Sequence, residues 1–142
     1  MQQANVVTCF LLRRSGGEDE ILLLRRSQQV GTYRGRWAGV SGYIEGADPL
    51  IQAYAEIEEE TALAREDVQL LRTGEPLAVV DAEAERRWIV HPFLFEVREP
   101  ARIRVDWEHT ETRWIRPQDI FQYETVPQLA EALMRVYPLP RP

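Results

Sequence analysis

A chain of 142 residues that is 44% hydrophobic, with four Trp, five Tyr and four Phe, has the size and composition of one folded domain around one core. Its formal charge of −6 sets 23 acidic residues against 17 basic ones, every one of them Arg, and an acidic chain with no basic run is a poor match for DNA or RNA polymers. A single cysteine excludes an internal disulfide or a cysteine metal cluster, and no apolar run approaches the ~18 residues of a membrane span. The start, Met1 to Asn5, is polar and unlike a secretory signal, so the expected location is the cytoplasm.

In chain order, Asn5 to Arg13 is β-rich and apolar at successive positions, which predicts a central strand covered on both faces. The turn signal Ser15-Gly16-Gly17-Glu18-Asp19 and the run Ile21 to Leu24 predict a hairpin. Gln28 to Trp37 lacks periodicity and reads as a loop, followed by a Gly-punctuated strand and turn to Glu45. Asp48 to Leu63 is the clearest helix, with Asp48 as its cap, Pro49 at its first position, and Leu50, Ala53, Tyr54 and Ile57 as its buried stripe. Further strands are predicted at Val68 to Leu71, Leu77 to Val80, Trp88 to Val97, Ile103 to Val105 and Thr112 to Ile115. Pro92 inside the third of these implies a bulge or an edge position. Val126, Leu129, Leu133 and Val136 mark a closing amphipathic helix that Pro138 ends. With no repeat or linker, residues 1–142 read as a single domain of α/β class.

The chemistry is concentrated in Glu56-Ile57-Glu58-Glu59-Glu60. On a helix Glu56, Glu59 and Glu60 share one face while Glu58 points away. Isolated acidic triplets are more often solvated surface than ligands. Here, though, like charges at these spacings cost about 0.2–0.5 kcal/mol each, and anions in the last turn oppose the helix dipole by about 0.3–1 kcal/mol more. A hard cation such as Mg²⁺ or Mn²⁺ would convert that repulsion into binding. Arg26 and Arg36 flank the loop before Trp37 and are candidates to clamp phosphate oxygens. Tyr33 and Trp37 could stack on a base, although Trp37 reads better as core; His91 reads as structural, and His109 either polarises Glu108 or bonds its own loop.

The stretch Ser41 to Leu63, SGYIEGADPLIQAYAEIEEETAL, resembles the Nudix box, G-x5-E-x7-R-E-U-x-E-E-x-G-U with U apolar. Glu56, Ile57, Glu59 and Glu60 fall on its R-E-U-x-E-E core, and Gly42 on its first Gly when one residue is deleted after Glu45. The segments ILLLRRS, RGRWAGVSG and EHTETRWIRPQDI extend the resemblance over most of the chain. Three positions depart from the pattern: Ala47 replaces the first Glu, Ala55 the Arg and Ala62 the Gly.

The resemblance implies a Nudix-like α/β/α sandwich with a mixed β-sheet. It also implies a metal-dependent pyrophosphohydrolase that cleaves the diphosphate linkage of a nucleoside diphosphate derivative. Metal ligation is carried over to Glu56, Glu59, Glu60 and the Gly42 carbonyl, and the catalytic base to Glu56 or Glu108. The alternative is a catalytically weak Nudix domain that binds a nucleotide as a sensor. The expected partner is a small nucleotide or diphosphate substrate, with no nucleic-acid polymer and no membrane. A homodimer is left open.

Overall fold

A computed structural model describes residues 2–140. At its centre β1 (Gln2–Ser15) runs parallel to β7 (Arg86–Val97), in register from Gln2 opposite Arg86 to Leu12 opposite Glu96. Val7, Cys9 and Leu11 point to one face and Phe10 and Leu12 to the other, all of them buried, which accounts for the unbroken apolar run. The remaining pairs are antiparallel, so the eight-stranded sheet is mixed. β2 (Glu18–Arg26) returns from β1 through Gly16 and Gly17, whose φ of 61° and 82° suit the left-handed two-residue hairpin turn. β2 also pairs with β3 (Trp37–Ala38) and β8 (His109–Ile115). β4 (Val40–Tyr43) takes the stretch of β1 from Val6 to Cys9, on the edge that β2 uses from Leu12 to Ser15. That split in partners opens the sheet beside β4.

On its other edge β7 pairs with β5 (Val68–Thr73) and then β6 (Leu77–Asp81). Pro92 therefore lies in a central strand, neither at an edge nor in a bulge of its own. It falls where β5 gives way to β6, and its carbonyl accepts from the Gly74 amide at 3.0 Å on that side. The missing N–H faces the same gap, where no ladder partner is lost.

α1 (Pro49–Thr61) packs through Ala53 and Ile57 on the face of Val7, Cys9 and Leu11. α2 (Leu129–Met134) and the two-turn 3-10 segment Pro117–Gln122 cover the face of Phe10 and Leu12, completing an α/β/α sandwich. Two expectations are corrected. The closing helix starts at Leu129 and not Val126, because Gln128 adopts a left-handed backbone with φ 60°. Ile103 to Val105 forms no strand: a 3-10 turn, Pro100–Arg102, precedes it, and the Arg104 amide donates to the Thr61 carbonyl at 2.8 Å. That bond satisfies one free carbonyl at the end of α1 and lays residues 106–108 beside its last acidic turn. No helix among the described residues is long and apolar enough to cross a membrane.

Candidate functional site

Asp48 caps α1 by accepting from the amides of Leu50 and Ile51 at 2.9 and 3.4 Å, which sets the rotation of the helix. With Ala53 and Ile57 docked on the sheet, Glu60 is carried inward and is 2% exposed, while Glu56 is half-buried and Glu59 exposed. Glu56 and Glu59 line a cavity of about 420 Å³ together with Gly42, Glu45, Arg26 and Glu108. The Glu56 carboxylate rests against Gly42 so closely that a Cβ there would overlap it. The Gly is required by that close approach. Gln52, one turn earlier on α1, donates from Nε2 to Glu56 Oε2 at 2.8 Å, and its Oε1 accepts from the Glu45 amide at 3.1 Å.

Behind this wall Glu60 Oε2 is buried without a hydrogen-bond partner. Burial, followed by the charges of Glu108, Glu56 and Asp106, pushes the Glu60 carboxyl up to about 10, so that without a cation it holds its proton at neutral pH. Burial also raises Glu56, with the Gln52 hydrogen bond opposing and Glu59 adding to the rise. Glu108 is raised by burial and then by Asp106 and Glu59, while Arg26 opposes. His109 lies between two acids, Nε2 3.6 Å from Glu60 Oε1 and Nδ1 3.4 Å from Asp106 Oδ1. Burial lowers its pKa and keeps the imidazole neutral, and Nδ1 finds no hydrogen-bonding geometry. Among the described residues no trio of His, Cys, Asp and Glu is drawn up at ligand spacing. The oxygens are turned instead toward Gln52 and one another.

Arg26 reaches the cavity with Nε and Nη2 donating to Thr32 O and Oγ1 at 2.9 and 3.2 Å. Arg36 does not line it; its guanidinium donates to the Thr125 carbonyl at 3.2 Å and lies 3.7 Å from Glu124. Trp37 is a core residue, edge-on to Tyr123 with ring centroids 5.8 Å apart, whereas Tyr33 lines the cavity. His91 is bonded to Asn5 Oδ1 at 3.1 Å, a structural contact between β7 and β1.

The NUDIX domain model matches residues 2–136. The chain belongs to the Nudix family. An Ap4A hydrolase of C. elegans in a binary complex superposes with a TM-score of 0.78 at 19% identity, covering 93% of each chain. A MutT protein of Methanosarcina mazei Go1 gives 0.76 at 22% identity, over 94% of this chain and 91% of that one. The NUDIX domain of Shewanella oneidensis NrtR, complexed with ADP ribose, gives 0.69 at 16%, over 95% and 86%. These likenesses establish a common fold. No curated protein sequence matches the chain.

Against the Nudix pattern the three alanines now have structural addresses, Ala47 lying exposed in the bend before α1. Ala62 keeps the left-handed helix end that a Gly would give, with φ 63° and its amide bonded to the Glu58 carbonyl at 2.9 Å. Ala55 is exposed, and among the described residues no Arg pairs with Glu56; the Gln52 amide holds that carboxylate instead. Gln52 was not among the site residues expected from the sequence, although its place four residues before Glu56 was a legible signal. Asp106 and the contact of His109 with Glu60 carried no such signal, because they depend on where the 103–108 segment crosses the end of α1.

Proposed function

We propose that this Nudix domain cleaves the diphosphate linkage of a nucleoside diphosphate derivative, with a divalent cation, Mg²⁺ or Mn²⁺, held by Glu56, Glu59, Glu60 and the Gly42 carbonyl. The observation that carries the reading is the meeting of Glu56 and Glu59 of α1 with Glu108 around one cleft that also holds Arg26, with Glu60 buried directly behind them. A cation fits these residues. Glu60 Oε2 is a buried hard donor without a partner, and the bare backbone at Gly42 admits the Glu56 carboxylate against it. When bound, the ion supplies charge neutralisation of the diphosphate and acidifies a water.

The side chains do the rest. Arg26, fixed by two bonds to Thr32, presents its remaining donors to phosphate oxygens. Glu108, raised by burial and by its acidic neighbours, accepts the proton of the attacking water at its carboxylate, and the bond broken is that from phosphorus to the bridging oxygen. Gln52 keeps Glu56 oriented, the work a box Arg would do at position 55. His109 and Asp106 back Glu60 from inside. A binding domain without turnover has no need for this concentration of carboxylates around one cleft, which favours the enzyme over the sensor. The test is phosphate or nucleotide release from a panel of nucleoside diphosphate derivatives with Mg²⁺, with Mn²⁺ and with EDTA. Cation-dependent cleavage supports the reading, and no cleavage of any member with either ion refutes it.

A further inference from the structure

The cavity that holds Glu56 and Glu108 has a second end of different chemistry. Val6, Val79, Trp88, Val90, Leu129 and Ala132 wall it, side chains that also belong to the hydrophobic layer between the sheet and α2. Tyr33 stands edge-on to Trp88, with ring centroids 6.0 Å apart at 62°, and its hydroxyl donates to Asp81 Oδ2 at 2.5 Å. The Tyr33 backbone is left-handed, φ 48°, and the neighbouring Thr32 is tied to Arg26, so the loop that delivers the ring is fixed at both residues. A hollow walled by two aromatic rings and by aliphatic side chains, opening onto a polar end, suits a flat apolar group attached to a charged one.

The polar group at this end is Gln128. It lines the cavity, holds a left-handed backbone at the start of α2, and its amide makes no hydrogen bond among the described residues. A carboxamide offers a donor beside an acceptor, the complement of the N6 and N7 edge of adenine. The same edge of guanine presents two acceptors and is read by Arg or Lys. Arg26, the guanidinium that lines the cavity, has Nε and Nη2 already committed to Thr32.

We propose that the apolar end is a pocket for adenine, with Tyr33 and Trp88 as its aromatic walls and Gln128 reading the base edge. This rests on the diphosphate hydrolysis above for the reaction and assigns its substrate class, adenosine diphosphate derivatives. The experiment is calorimetric titration of the protein in EDTA with AMP, GMP and ribose 5-phosphate, which share a phosphate and differ in the base. AMP binds about 10-fold more tightly than GMP, as one bidentate contact discriminates, and more tightly than ribose 5-phosphate. Gln128→Gly, which suits the positive φ, brings the AMP to GMP ratio near one with an unchanged melting curve. Equal binding of AMP and GMP, ribose 5-phosphate binding as tightly as AMP, no detectable AMP binding, or an unaltered ratio in Gln128→Gly overturns the pocket. The two readings fail separately. AMP preference without cleavage of any adenosine diphosphate derivative removes the hydrolysis and leaves the pocket, and cleavage without base preference does the reverse.

Discussion

Replacing Glu60 by Gln measures what the buried acid costs the fold. In the folded protein the carboxyl is pushed from 4.5 up to about 10, burial being the main cause and the charges of Glu108, Glu56 and Asp106 following. A raised folded pKa means that near neutrality the native state holds a proton the unfolded chain has released. The stability tied to that carboxyl is thus fully present below pH 4.5 and is lost as pH rises toward 10. The loss accumulates at about 1.4 kcal/mol per pH unit, or up to ~3 kcal/mol by pH 7. Gln keeps the shape and does not titrate. Glu60→Gln, studied in EDTA, is therefore as stable as the parent near pH 4.5 and more stable by up to ~3 kcal/mol at pH 7. Urea denaturation of both proteins at a series of pH values reads the difference directly. Added Mg²⁺ or Mn²⁺ raises the parent's midpoint more than the variant's, since the variant has lost an anionic ligand. Denaturation curves separated by the same amount at every pH, or a variant less stable than the parent at pH 7, would show that Glu60 does not carry the buried proton.

Ala62→Gly relieves the left-handed backbone at the end of α1 and raises stability by about 1 kcal/mol, a shift of roughly 2–4 °C in the melting temperature; an unchanged or lower melting temperature contradicts the strain. Gln52→Ala frees Glu56 from its 2.8 Å hydrogen bond and lowers kcat about 10-fold with KM little altered, whereas a pure rise in KM would assign Gln52 to substrate binding. Arg26→Ala raises KM for every diphosphate substrate and leaves the melting curve in place, because its bonds to Thr32 are exposed. The Cys9 thiol, buried with its pKa pushed well up by burial and by Glu60 and Glu56, stays unmodified by iodoacetamide in the native protein and reacts after unfolding; rapid native labelling would show that the core opens there.

What the sequence determined by itself lies in short-range pattern. The Asp48-Pro49 start of α1, the Gly16-Gly17 hairpin and the doubly buried run in β1 follow from caps, turn chemistry and side-chain alternation, all of which act within a few residues. The common face of Glu56, Glu59 and Glu60 was legible for the same reason. The three depths of those glutamates were not, since they depend on which side of α1 meets the sheet; Glu60 ends up buried and Glu59 exposed. Pairing partners also escaped the sequence. Pro92 reads locally as a bulge or an edge residue, yet it is accommodated in the centre because two different strands meet beside it. Ile103 to Val105 has the composition of a strand, but the open Thr61 carbonyl at the end of α1 takes the Arg104 amide first. That one long-range bond lays the segment of Asp106, Glu108 and His109 against the acidic helix, and tertiary contact alone could supply it, because the two segments are far apart along the chain and meet only when the sheet has closed.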